Sequence, residues 1–172
     1  MKKKILTLAF LFTSAATADV IVPVNLVSEQ GIDKSIGEIT ITETRYGLLF
    51  TPQLTDLLPG VHGFHIHENA SCEPGLINDK KVAALSAGGH YDPDNTGKHL
   101  GPYDPDGHLG DLPALYVNTD GKAEYPVLST RITKLSQIKE RSIMIHTGGD
   151  NHSDFPTTLG GGGSRVACGI IN

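Results

Sequence analysis

Apolar and polar residues alternate in short runs along most of the chain, and turn residues separate the runs. Residues 20–26, 37–44 and 46–51 come first, followed by 61–67 after the Pro59-Gly60 turn. Residues 115–118 and 122–127 flank Thr119-Asp120-Gly121. Asp-Gly tolerates positive φ, so this pair predicts a hairpin. Residues 142–146 and 165–171 complete eight runs of strand type, and the one helical hint, 133–139, is a turn or two long. A period of two with frequent Gly and Pro predicts an all-β protein, an antiparallel sandwich or barrel.

Two stretches do not read as strands. Residues 69–113 are rich in Gly, Asp, Pro and His, and 148–164 run into Gly160-Gly161-Gly162-Gly163. Structureless loops of this length inside a compact domain are functional or disordered. Cys72 and three His lie in the first, where metal and disulfide could tie it down, so it is read as an ordered functional loop.

Composition narrows the class. The 172 residues include 20 Gly, 10 Pro, no Trp and eight His, more than either Tyr or Phe. Collagen, coiled coil and disordered tail are excluded by this balance. Lys2, Lys3 and Lys4 precede an apolar run at 5–12, far short of a bilayer span, and Ala16-Thr17-Ala18 fits a small-x-small cleavage site. Residues 1–18 are therefore expected to be an export signal, with a buried N-terminal helix as the alternative, and 19–172 a single mature domain. Losing three Lys takes the basic side chains from 14 to 11 against 19 acids, a net charge of −8. Neither nucleic acid nor an anionic membrane is an expected partner. No Cys lies near the cleavage site, so a lipid anchor is not expected. Export permits a disulfide, and a bridge between Cys72 and Cys168 would close a loop of 97 residues; two buried free thiols are the alternative.

The surplus of His carries the chemistry. On a strand, His65 and His67 at i and i+2 share one face while Phe64 and Ile66 take the other. Both imidazoles could then reach one metal. His62 has the parity of Phe64 and Ile66 and is read as a hydrogen-bonded structural residue. His90, His99, His108 and Asp111 fall within one Gly/Pro-rich stretch. Three imidazoles and a carboxylate suit zinc or copper, against the alternative of a polar surface loop. His146 ends the apolar run Ile143-Met144-Ile145 and adds a further candidate ligand.

Five motifs in order complete the pattern: G-F-H-I-H-E, G-G-H-Y-D-P, H-x8-H-L-G-D-L-P, I-H-T-G-G-D and G-G-G-G-S-R-V-A-C-G. Together with both Cys they resemble the copper/zinc superoxide dismutases, the bacterial exported group above all, from about Val20 to Ile171. The resemblance implies an eight-stranded antiparallel Greek-key sandwich or flattened barrel with two long functional loops. It implies copper on His65, His67, His90 and His146, and zinc on His90, His99, His108 and Asp111, with His90 bridging. Arg165 would guide the superoxide anion beside copper, and His90 would take up a proton. Asp150 would link His65 to His99, and a Cys72–Cys168 bridge would pin the metal loop to the last strand. Alternating reduction and oxidation of copper would convert superoxide to oxygen and hydrogen peroxide, with zinc as the structural and tuning metal. The resemblance further implies a periplasmic location, and it leaves monomer and homodimer both open. His152 matches no ligand position.

Two other classes compete. A non-enzymatic copper or zinc carrier on the same sandwich would usually lack a copper ligand or the arginine. A zinc hydrolase would need an open zinc position and a general base, for which Glu68 is the nearest residue. The acidity raises a separate problem, because the expected substrate is an anion. Lys80 and Lys81, in the long loop, are candidates for local steering by position alone.

Overall fold

The computed structural model describes residues 19–172; the expected signal segment, 1–18, lies outside the described residues. Alternating burial builds the first three strands, β1 (Val20–Ser28), β2 (Gly31–Thr44) and β3 (Gly47–Leu54), into an antiparallel meander. β2 starts six residues before the expected strand. Its first turn, around Asp33 and Lys34, is exposed on both faces, so no hydrophobic signal marks it, yet its backbone pairs with the end of β1.

Among the described residues eleven strands are present rather than eight, and the all-β class stands. The expected strand at 61–67 is two: Gly63 separates β4 (Gly60–His62) from β5 (Phe64–His67). The long loop contributes a small hairpin, β6 (Gly75–Ile77) with β7 (Lys80–Val82). β8 (Leu115–Val117) pairs with β4, not with the segment after the Asp-Gly turn. The turn itself forms, held by Asn118, whose side-chain oxygen accepts from the Asp120 and Lys122 amides at 3.0 and 2.9 Å. Local turn chemistry was legible, whereas the choice of partner strand depended on the remote β4 edge. β9 (Val127–Ser129) pairs with β3, β10 (Arg141–His146) with β5, and β11 (Arg165–Ile171) lies between β10 and β1. The helical hint is a short 3-10 turn at Leu135–Gln137.

The main sheet has seven strands in the order β5-β10-β11-β1-β2-β3-β9. Phe64 of β5 and Phe50 of β3 lie near opposite ends of that order, yet their rings pack edge-on at 5.9 Å and 88°. The sheet is therefore curled on itself into a half-barrel around one core that includes Val22, Ile39, Ile41, Phe50, Phe64 and Ile143. A smaller cluster forms on the outer face from Met144, Cys72, Cys168, Ala84 and Ala87. β10 is buried on both faces, which explains its unbroken apolar run. Cys72 and Cys168 are bridged within this outer cluster, with Cα atoms 5.7 Å apart.

Candidate metal centre

β5 places His65 and His67 on one face, and its register with β10 sets His65 opposite Met144 and Ile145 opposite Phe64. His146 closes β10, its amide donating to Gly63 O at 2.9 Å. The other edge of β5 is taken by the long loop. Tyr91 N donates to Ile66 O and Ile66 N to Gly110 O, both at 2.8 Å. His90 and Asp111 thereby sit directly beside His67 and His65. A loop without regular secondary structure is thus positioned as if it were a strand.

Six rings and two carboxylates converge. The rings of His65 and His90 stack at 3.8 Å, and those of His67 and His146 lie 5.7 Å apart at 28°. Donor atoms of His65, His67, His90 and His146 all lie within 4.8 Å of one another, and all four residues are buried. A second set meeting the same condition is His65, His90, His99 and Asp111. His108 stands at its side, with Nδ1 3.6 Å from Asp111 Oδ1. His90 Nδ1 is 2.8 Å from Asp111 Oδ1. Asp150 reaches both groups: Oδ2 is 2.7 Å from His65 Nε2 and Oδ1 2.7 Å from His99 Nε2.

Buried polar atoms without a hydrogen-bond partner mark the same place: His65 Nδ1, His67 Nε2, His90 Nε2, His146 Nε2, His99 Nδ1, His108 Nδ1 and Asp111 Oδ2. Native proteins leave few such atoms, since each costs roughly 1–3 kcal/mol when desolvated without a partner. His99 Nδ1 and Asp111 Oδ2 approach to 2.9 Å without hydrogen-bond alignment. Their lone pairs are directed at a shared point, as cation ligands require. Neutral imidazole nitrogens and one ionised carboxylate are donors that zinc and copper accept, so the residues present fit both metals.

The electrostatics favour unprotonated donors. Burial, followed by the field of His90, lowers the His65 pKa to about 3. Burial takes His146 to about 4 and His67 well below its ordinary value, with the Arg165 charge adding to both shifts. His90 is lowered by burial against the pull of Asp111. For Asp111 and Asp150, burial acts upward but the neighbouring imidazoles outweigh it and hold both carboxyls far below the usual range. His99 runs the other way: burial is overcome by Asp111 and Asp150, which raise it to about 9.

These shifts make metal-free stability depend on pH. A ring held neutral when folded, but free to charge at its ordinary value of about 6.5 when unfolded, binds fewer protons folded than unfolded below that pH. Stability of the metal-free protein should fall as pH drops from 6.5 toward about 4 for His146 and about 3 for His65. Each ring contributes up to about 1.4 kcal/mol per pH unit in its window. His99 stabilises fully below pH 6.5 and loses that contribution as pH rises toward about 9. Thermal melting of the metal-free protein across pH 4 to 9 should therefore peak near neutrality, and a midpoint unchanged between pH 7 and 5 would contradict the argument.

Other expected residues are placed as follows. Arg165 opens β11, and its guanidinium donates to Ala84 O and Gly88 O, both at 2.6 Å. His62 is buried away from the cluster, its Nδ1 and Nε2 each 2.7 Å from a carbonyl, of His146 and of Leu58. His152 donates its amide to Asp150 Oδ1 at 2.7 Å, and its ring covers Gly101. Lys81 shares a cavity of about 460 Å³ with Arg165, Ser164 and Glu29, and Lys80 is not among its lining residues.

Several contributors were not foreseen. The carbonyl of Gly88 accepts from both His67 Nδ1 and Arg165, and Gly163 O holds His146 Nδ1. A main-chain acceptor leaves no side-chain signal. Gly160, at φ +69°, passes so close to Asp150 that a Cβ there would lie 2.0 Å from Oδ1 and 2.9 Å from His99 Nε2. The four-glycine run pointed to that position, although its reason is visible only in three dimensions.

An all-β half-barrel with buried, partnerless imidazoles and a carboxylate defines a protein of the metal-binding, antiparallel β-barrel class. The chain matches the family model for copper/zinc superoxide dismutase (SODC) over residues 35–171, and it belongs to that family. It is 56% identical over 175 residues to "Superoxide dismutase [Cu-Zn] 1" of Salmonella typhimurium strain 4/74, covering 99% of both chains. The fold is similar to that of the Cu/Zn superoxide dismutase from Brucella abortus, with a TM-score of 0.88 at 50% identity over 90% of this chain and all of the other. It is likewise similar to the monomeric copper, zinc superoxide dismutase from Salmonella enterica, with a TM-score of 0.82 at 55% identity over 90% of this chain and 100% of that one.

Proposed function

We propose that the protein converts two superoxide anions and two protons into oxygen and hydrogen peroxide. The carrying observation is the set of partnerless buried donors, divided by His90, whose Nε2 is free on one side while Nδ1 meets Asp111 on the other. On this reading His65 Nδ1 and the Nε2 atoms of His67, His90 and His146 would hold copper, and His90, His99 and His108 through Nδ1, with Asp111, would hold zinc. His108, not His65, completes the zinc set: His65 Nε2 is taken by Asp150, and its one free nitrogen belongs with the copper donors.

Bound copper supplies a one-electron couple, and bound zinc a fixed positive charge. The chain supplies the rest. Arg165 is anchored by two carbonyls, which leaves its other N–H donors to hold a small anion beside His67 and His146. Its guanidinium cannot give up its proton at working pH. His90 Nε2, buried and without a partner, would be the atom to hold and hand over a proton when it is not holding copper. Asp150 orients His65 and His99 together, so one carboxylate fixes a ring in each ligand set. Lys81 lines the same cavity as Arg165, together with Glu29, and is the lysine assigned to offset the net acidity there.

Residues 1–18 are read as an export signal, and 19–172 as the mature single domain in the periplasm, where an oxidising environment suits the Cys72–Cys168 bridge. The deciding experiment loads the protein with both metals and follows superoxide decay with paramagnetic resonance and metal analysis. Near-equal copper and zinc with rapid decay is expected, slowed by salt and less salt-dependent in Lys81→Glu. Uptake of zinc alone without superoxide removal would refute the reading.

A further inference from the structure

Metal-binding imidazoles are normally oriented through the ring nitrogen that does not face the metal. Four of the rings follow this pattern: His65 and His99 meet Asp150 through Nε2, and His67 and His146 meet the Gly88 and Gly163 carbonyls through Nδ1. His90 has both ring nitrogens assigned to the metals, and its Nδ1 also meets Asp111, a member of its own zinc set. His108 has no such outer carboxylate or carbonyl among its hydrogen bonds to the described residues, and its Nδ1 is buried and unpartnered, 3.6 Å from Asp111 Oδ1. It also lies in the stretch 102–108, which forms no strand. Its backbone, however, is clamped from outside. Arg131 Nη1 donates to His108 O at 2.9 Å, and Nη2 donates to Gly107 O at 2.9 Å and Pro105 O at 3.4 Å.

We propose that Arg131 is the positioning residue for His108: by fixing three consecutive-turn carbonyls it sets the direction of the one ring that no partner orients. The clamp is itself rigid. Arg131 follows β9, and the next residue, Ile132, is fully buried and accepts from Leu48 N at 2.8 Å. A planar guanidinium fork can serve several carbonyls at once in a fixed geometry, whereas an ammonium acts as a mobile point charge. The inference rests on the zinc assignment above.

The test titrates cobalt(II) into the metal-free protein, following visible absorption and competition with a chelator. Arg131→Met keeps much of the stem and removes every donor. It should weaken cobalt binding by about tenfold, as loss of an outer partner typically does, and should alter the visible bands. Arg131→Lys should recover part of the affinity. The resonance signal of copper bound to His65, His67 and His146 should stay as in the unaltered protein, and melting curves establish that each variant folds; should Arg131→Met not fold, Arg131→Lys carries the test. Unaltered cobalt affinity and spectrum in the folded variants would overturn the proposal, as would an equal loss at the copper side. A different result addresses the underlying assignment: His108→Ala binding cobalt like the unaltered protein would remove His108 from the zinc set, whatever Arg131 does.

Discussion

Replacing His146 with Ala should lower superoxide removal by more than about 100-fold while about one equivalent of zinc is retained. Removing an outer partner of a ligand typically costs 10–100-fold in metal affinity or activity, and this change removes the donor itself. The backbone would tolerate it, because His146 N and its neighbours stay in the β10 ladder and the amide still meets Gly63 O. The ring faces His67 and His65, and it takes no part in the Asp111 set. Copper loading should collapse and zinc loading should persist. Equal loss of both metals would show that the two ligand sets are not separable in the way the geometry implies.

Removal of the Cys72–Cys168 bridge, by Cys72→Ala together with Cys168→Ala, should lower unfolding free energy by about 2–5 kcal/mol. The bridge spans 96 positions of sequence, so the unfolded chain regains a large closed loop when it is lost. The same substitution should slow superoxide removal even in protein that remains folded. Cys168 lies on β11 three residues after Arg165, and Cys72 lies on the loop whose Ala84 and Gly88 carbonyls receive the Arg165 guanidinium. Bridge and arginine thus tie one loop to one strand at two points. With the bridge gone, the loop can drift and the charge beside His67 loses its fixed position. Denaturant unfolding with and without a thiol reductant, alongside rate measurements, checks both parts. Coincident unfolding midpoints would contradict the stability argument, and an unchanged rate would contradict the positioning argument.

Much of the centre was legible in the chain because its chemistry is local. His65 and His67 share a face by strand parity alone, with Phe64 and Ile66 sent to the core, and the structure places all four accordingly. Gly, Pro and Asp-Gly punctuation revealed an all-β protein. The strand count and pairings were less legible. The break at Gly63 divides what reads as one apolar run, and β8 leaves its neighbouring turn for β4. Sequence patterns report which face a strand buries and carry little about which distant edge completes its hydrogen bonds. The supporting shell was hidden for a related reason: the Gly88 and Gly163 carbonyls, the close pass of Gly160 and the Arg131 clamp involve main-chain atoms or contacts across long separations.

The sequence by itself marked the candidate donors, the strand-and-turn character and the pair of cysteines, since residue type and short-range period express these directly. Tertiary structure alone decided that β5 lies between β10 and the long loop, that the Gly88 and Gly163 carbonyls hold His67 and His146, and that Arg165 is anchored by two carbonyls. The physical reason is that donor chemistry belongs to a side chain, whereas the direction in which a donor points is set by backbone contacts that the curled sheet brings together from opposite ends of the chain.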